Sequence, residues 1–128
     1  MKTKASICFA ILLLCALCAC AAPKTEGISP AKYVYEDAEG VVKPYVLLKG
    51  NNEYLFEYSM LSSYLNIGTY KVENDTLILT TDDGEYTYTF HIKNGNLFFD
   101  LEASSKITVY KGESPIVDGA EFVLENGK

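Results

Sequence analysis

The sequence predicts an all-β fold, an antiparallel meander of strands that closes into a small β-barrel. The first observation is the alternation of apolar and polar residues in short runs after residue 32, which is the period of a half-buried strand. The second is the placement of turn residues between these runs, close enough to make neighbouring strands pair antiparallel. Such a sheet must curl or close to cover its apolar face, so we expect a barrel.

Residues 86–93 give the clearest alternation. Tyr86, Tyr88, Phe90 and Ile92 share the face predicted to be buried, whereas Thr87, Thr89, His91 and Lys93 share the predicted outer face. Leu97, Phe99 and Leu101 repeat the buried pattern in the next run. The strand candidates are residues 45–49, 53–59, 69–73, 76–81, 85–93 and 96–102, and residues 107–110 and 120–124 can each add a strand.

The connections between these candidates are typical of hairpins. Asn94 and Gly95 tolerate the two positive φ angles of a type I′ turn. Residues 49–52, 74–75 and 82–84 are also rich in Asn, Asp and Gly, the usual turn formers. About six strands should therefore follow one another through tight turns.

Residues 59–67 break this rhythm, because their apolar residues recur at spacings closer to those of a helix. We expect a short helix or 3₁₀ segment here that caps one end of the barrel. A ligand or partner would contact this segment more than the sheet faces, through Met60, Ser62, Ser63, Tyr64 and Ile67. The alternative is a plug that closes the barrel without binding anything.

The N-terminus is typical of an export signal. Lys2 and Lys4 precede an apolar run of residues 7–17, which is too short to span a bilayer. The sequence that follows, Leu-Cys-Ala-Cys at residues 17–20, resembles a bacterial lipoprotein signal, which implies cleavage before Cys20 and diacylglyceryl attachment to its thiol. The alternative is an ordinary signal peptide that is cut after Ala22. We expect a signal at residues 1–19, the lipidated Cys20 and a flexible tether at residues 20–30, and one domain at residues 31–128.

The composition argues against several functions. The chain has 11 lysines, no arginine and 17 acidic residues, so nucleic acid is a poor partner. Beyond the signal, His91 is the single histidine, and a lone solvated histidine rarely makes a catalytic site. The acidic residues Asp82, Asp83 and Glu85 lack the spacing of a calcium loop. We therefore expect no catalytic residues, no metal site and no cofactor.

The central block of the chain includes the runs 57–65, 68–70, 77–79, 81–84, 86–90 and 97–99. These runs resemble a small β domain of lipoproteins from Gram-positive, Clostridia-type bacteria, which also occurs at the C-terminal end of membrane metallopeptidase-type sensors. More loosely, they are similar to lipocalin-like bacterial domains, which implies a small lipocalin-like barrel. The sensors' zinc motif is not matched, and the resemblance implies no activity.

These observations together predict a non-catalytic binding or interaction module, anchored to the extracytoplasmic face of the cell membrane through the acylated Cys20. Its partner would be a small ligand or a membrane protein. One alternative is an accessory domain that docks on a membrane sensor or peptidase. Another is a small hydrolase that uses carboxylates.

Overall fold

A computed structural model describes residues 28–60, 64–107 and 114–126 of the protein. Within these residues every regular element is a strand. The strands are β1 (Lys32–Val34), β2 (Tyr45–Leu48), β3 (Glu53–Glu57), β4 (Ile67–Glu73), β5 (Thr76–Thr81), β6 (Thr87–Lys93), β7 (Asn96–Asp100) and β8 (Glu121–Leu124).

The eight strands form a closed barrel in chain order, and each pairs antiparallel with the next. Closure comes from β8 pairing with β1, where Tyr33 lies opposite Leu124 and Val34 opposite Val123. Glu125 extends this seam, because its amide donates to the Lys32 carbonyl at 2.8 Å and its carboxylate pairs with the Lys32 ammonium at 3.3 Å. The predicted all-β antiparallel barrel is thus confirmed.

Successive connections alternate between the two ends of an antiparallel barrel. The short ones, residues 49–52, 74–75 and 94–95, lie at one end, which we call the turn end. The long ones, residues 35–44, 58–66, 82–86 and 101–120, lie at the other, which we call the loop end. Since β1 begins and β8 finishes at the turn end, the domain's first and last strands meet the rest of the chain there.

The turn end has the predicted hairpin chemistry. Asn94 and Gly95 have φ angles of 52° and 78°, the two positive values that a type I′ turn requires. Asn74 and Asp75 also have positive φ, at 47° and 59°. Asn and Asp tolerate positive φ better than other non-glycine residues, so this turn can form without a glycine.

Most side chains predicted to be buried fill the barrel; the exceptions are Tyr86, which is half-buried, and Leu101, which is 41% exposed because β7 ends at Asp100. Tyr88, Phe90, Leu97 and Phe99 are at most 1% exposed, and His91 and Lys93 are exposed, so the predicted register is confirmed. Inward residues of the other strands complete this core: Tyr33, Val46, Leu48, Tyr54, Phe56, Leu77, Leu79 and Phe122.

Thr89 departs from the prediction, because it lies on the outer face yet is only 8% exposed. The chain beyond β7 folds back over it. The Thr89 hydroxyl donates to the Ala103 carbonyl at 3.2 Å, and its amide donates to the Ser104 hydroxyl at 2.9 Å. This connection therefore covers the start of β6 from outside.

Two other expectations fall only partly within the described residues. The described residues of the 59–67 segment contain no helix: Met60 lies in a turn, and Ile67 already opens β4 by pairing with Leu55. Residues 61–63, the middle of that segment, lie outside the described residues. Of the possible strand at residues 107–110, only Ile107 is described, and it is not in a strand. The prediction also missed β1.

Among the described residues, none belongs to a helix that has both the length and the apolar character needed to cross a membrane.

Candidate functional site

Exposed apolar side chains are concentrated at the loop end. Nine large hydrophobic residues are exposed among the described residues, and seven of them lie in loop-end connections. These seven are Val41, Val42, Met60, Tyr64, Leu65, Leu101 and Val117. The other two, Val123 and Leu124, lie in β8 beside the closing seam. A clustered set of exposed apolar residues marks a contact surface more often than scattered ones do.

The 58–66 connection presents its apolar side chains on a backbone held to the barrel. Met60 and Leu65 are 73% and 61% exposed. Asn66, which follows Leu65 directly, is buried, and its carbonyl accepts a hydrogen bond from the Phe56 amide at 2.9 Å. Leu65 thus adjoins an anchored position, so its exposed side chain has a defined place on the domain.

Asp83 joins this connection to the neighbouring one. Its carboxylate accepts hydrogen bonds from the Tyr64 hydroxyl at 2.6 Å, the Thr81 hydroxyl at 2.6 Å and the Glu85 amide at 3.0 Å. These donors, Thr81 first, lower the pKa of Asp83 below its usual value, and the same hydrogen bond raises the pKa of Tyr64. The Tyr64 ring also packs edge-on against Tyr86, with centroids 5.3 Å apart.

Beneath these contacts lies a buried polar layer. The Tyr54 hydroxyl donates to Oδ1 of Asn66 at 3.3 Å, and burial raises the pKa of Tyr54 far above its usual value. Burial also raises the pKa of Tyr88, to about 12. The Asn66 Nδ2 has no hydrogen-bond partner of normal geometry, although the amide lies close enough to Tyr88 to oppose the rise in its pKa. Both phenols remain protonated at neutral pH.

Aromatic side chains occupy the barrel interior below this layer. Phe56 lies at their centre, with ring centroids 5.1 Å from Tyr88, 5.7 Å from Phe90 and 6.2 Å from Phe122. Interdigitated rings at these separations are typical of a packed core. This part of the barrel is filled by side chains.

A groove of about 400 Å³ opens at the loop end between the 35–44 and 101–120 connections, and we call it the loop-end groove. Its apolar lining consists of Tyr35, Ala38, Val42, Pro44, Tyr58, Pro115 and Val117. Two carboxylates, Asp37 and Glu39, complete it. This volume lies within the range of ordinary ligand sites.

Two smaller pockets lie beside the 101–120 connection. One, of about 330 Å³, is lined by residues that include Leu101, Ser104 and Ile107. The other, of about 310 Å³, lies against the outer face of β6 and β7 and includes His91 and Asp100. The His91 Nε2 lies 2.8 Å from Asp100 Oδ2, while Asp100 Oδ1 accepts the Ala103 amide at 2.9 Å. The Asp100 carboxylate thus holds both the His91 imidazole and the turn that contains Ala103.

No group of three or more His, Cys, Asp or Glu residues in the described ranges could hold a metal ion.

The loop end is strongly acidic. Its described residues include eight acidic side chains and two lysines. The acidic ones are Glu36, Asp37, Glu39, Asp82, Asp83, Glu85, Glu102 and Asp118, and the lysines are Lys43 and Lys106. The turn-end connections carry one lysine, Lys49, and one carboxylate, Asp75, so among the described connections the net negative charge lies at the end that also exposes apolar groups.

The predicted contact residues are placed differently from one another. Met60 is exposed, and Tyr64 is 40% exposed with its hydroxyl bound to Asp83. Ile67 is half-buried on the outer face of β4, at the loop end of that strand. Ser62, Ser63 and Cys20 lie outside the described residues, so contact through the two serines and lipidation of Cys20 stay predictions.

Sequence reasoning missed the loop-end groove. Except for Tyr58, its lining comes from two connections about seventy residues apart, which meet because β8 closes the barrel next to β1. A local signal did exist: Val41 and Val42 form an apolar pair inside an acidic, glycine-containing stretch. Val41 is fully exposed.

Comparison with protein-family models, curated proteins and solved structures finds no match to this chain.

Proposed function

We propose that this protein is a lipid-anchored extracytoplasmic lipoprotein whose barrel is a non-catalytic interaction module. Its contact surface is the loop end, and its partner is a protein of the same membrane. The observation that carries this proposal is the placement of seven of the nine exposed large hydrophobic residues at the loop end.

The filled interior favours docking over capture of a ligand inside the barrel. Lipocalin-like domains that hold a ligand need an interior cavity, whereas here Phe56, Phe90 and Phe122 contact one another across the centre. Contact must then be made from outside, and the exposed apolar groups of the connections supply the means.

The anchor and the contact surface suit each other. The N-terminal signal with Cys20 resembles that of bacterial lipoproteins, and two acyl chains suffice for stable anchoring. β1 begins at the turn end, so a tether that precedes it would join the barrel at the end opposite this surface. A protein confined to a membrane meets other membrane proteins at high effective concentration, which suits a modest contact surface.

Site-specific photocrosslinking in cells of the source organism tests this proposal. A photoreactive amino acid replaces Met60 or Leu65, both highly exposed at the loop end. The matched control position is Val123, which is 37% exposed on β8. We expect a discrete crosslinked product from the two loop-end positions and none from position 123.

Crosslinking at position 123 with none at positions 60 and 65 would contradict the proposal. A second measurement separates contact from mere proximity. Leu65→Ser should reduce the product formed from position 60, because it removes apolar surface from the same patch, whereas Val123→Ser should leave it unchanged.

A further inference from the structure

The proposed function does not specify the chemistry of the partner, but the lining of the loop-end groove indicates which chemistry would fit. Resting on that function, we propose that this groove binds a basic peptide segment of the partner, in which lysine or arginine side chains alternate with aliphatic ones.

The floor of the groove is apolar and fixed in place. Tyr35 is 9% exposed, and its ring stacks on the buried Phe122 with centroids 5.5 Å apart and an angle of 24°. The Tyr35 amide donates to the Pro44 carbonyl at 2.9 Å, which ties both edges of the 35–44 connection together. Val42 and Val117 are 43% and 59% exposed at the rim. An aliphatic side chain can therefore bury itself against a surface that is already ordered, which reduces the entropic cost of binding.

The charged groups of the groove, Asp37 and Glu39, are acceptors. Asp37 and Glu39 are exposed and form no ion pair or hydrogen bond with a side chain of the described residues. Lys43, from the same connection, is already paired with Glu36 at 2.8 Å. The two carboxylates are thus available to a cation from outside.

Two residues of the groove wall are prolines, which have no backbone N–H to donate to a ligand. Pro44 and Pro115 lack backbone N–H groups, so these residues offer a ligand only carbonyl acceptors and apolar surface. A ligand rich in donors, such as an ammonium or guanidinium group on an extended chain, matches this lining better than one rich in acceptors.

Charge decides among the possible occupants of the groove. An anionic bilayer would be repelled, because the described loop end has eight acidic side chains and two lysines. A second copy of this chain would also be repelled, since the formal net charge is −6. A basic protein segment is attracted by the same charges and gains contact with the apolar floor.

Fluorescence anisotropy with defined peptides tests this inference. The protein is the full chain purified from membranes in a non-ionic detergent. The probe is a labelled hexapeptide of alternating lysine and valine, and the comparison peptides replace its lysines by glutamate or its valines by serine. We expect the lysine–valine peptide to bind about tenfold more tightly than either comparison peptide, because it alone has both features.

Two double variants locate the binding site. Asp37→Asn with Glu39→Gln removes both groove charges and should weaken binding about fivefold or more, the effect of two partly exposed ion pairs. Asp82→Asn with Glu85→Gln removes the same charge from the same end but outside the groove, and should change binding by less than about twofold.

Three outcomes would overturn the inference: equal binding of the glutamate peptide, equal weakening by both double variants, or no binding of the lysine–valine peptide. The crosslinking experiment distinguishes these failures from failure of the proposed function. If position 60 still crosslinks to a partner, only the basic-peptide chemistry is wrong. If the loop-end positions give no crosslink either, the proposed function is wrong as well.

Discussion

Replacing Phe90 by alanine is the sharpest test of the barrel core. Phe90 is fully buried, and its ring centroid lies 5.3 Å from Phe99, 5.3 Å from Phe122 and 5.7 Å from Phe56. These three rings belong to three different strands, so they cannot all move into the space that the missing ring leaves. A truncation of this kind costs about 3–5 kcal/mol, and we expect the upper half of that range here.

Urea unfolding, followed by far-UV circular dichroism, measures this cost. A small domain loses about 1–1.5 kcal/mol of stability per molar urea, so Phe90→Ala should lower the midpoint by about 3–5 M. The chain has no tryptophan, and tyrosine fluorescence gives the second probe needed to check two-state behaviour. His91→Ala is the matched control on the exposed face of the same strand and should lie within about 0.5 kcal/mol of wild type. A loss below about 1 kcal/mol for Phe90→Ala, or equal losses for both variants, would refute the register and packing described above.

Three further perturbations test other parts of the molecule. Cys20→Ser should remove the protein from the detergent phase or leave its signal uncut, as judged by phase partition and mass; a variant that still fractionates with membranes at high salt would contradict lipidation. Gly68→Ala should destabilise the barrel by about 3 kcal/mol in urea unfolding, because its Cβ would lie 1.9 Å from the Thr80 carbonyl oxygen; a neutral result would contradict this close strand contact. The lowered pKa of Asp83 means that its contribution to stability is present above the usual value of 3.8 and is lost as the pH falls through the folded-state pKa. Asp83→Asn should therefore flatten the pH dependence of the unfolding midpoint in this acidic range, and an unchanged slope would show that the Asp83 hydrogen bonds do not stabilise the fold.

The sequence predicted the hairpins well because their information is local. In β6 and β7, strict alternation selects the buried face, and the Asn94–Gly95 turn sets the register between the two strands. A slip of one residue would bury His91 and expose Phe90, and the cost of that exchange makes the pattern decisive.

Local patterns failed where distant segments meet. β1 has three residues, too few for alternation to be visible, and it is defined by its pairing with β2 and β8. The alternation within β6 predicts that Thr89 is exposed to solvent. It is buried because Ala103 and Ser104, from the connection after β7, pack over it.

The candidate site was predictable to a similar extent. The segment at residues 59–67 stood out because its length and composition interrupt a run of tight turns, and Met60 was named there as one of the possible contact residues. The loop-end groove depends on which connections become neighbours when β8 closes against β1. The 35–44 and 101–120 connections become neighbours because of the number and order of the strands, and no single segment of the sequence determines these.

The closing seam has a consequence for how this domain can be used in larger proteins. Lys32 and Glu125 are joined by a hydrogen bond and an ion pair, so the two ends of the barrel's chain emerge side by side. A unit whose ends are adjacent can be attached at either terminus, or inserted into a loop of a host protein, without strain on either part. The connections on the opposite side are free of this constraint. They can change in length and composition during evolution while the barrel and its attachment stay the same, and one scaffold can thereby present different surfaces to different partners.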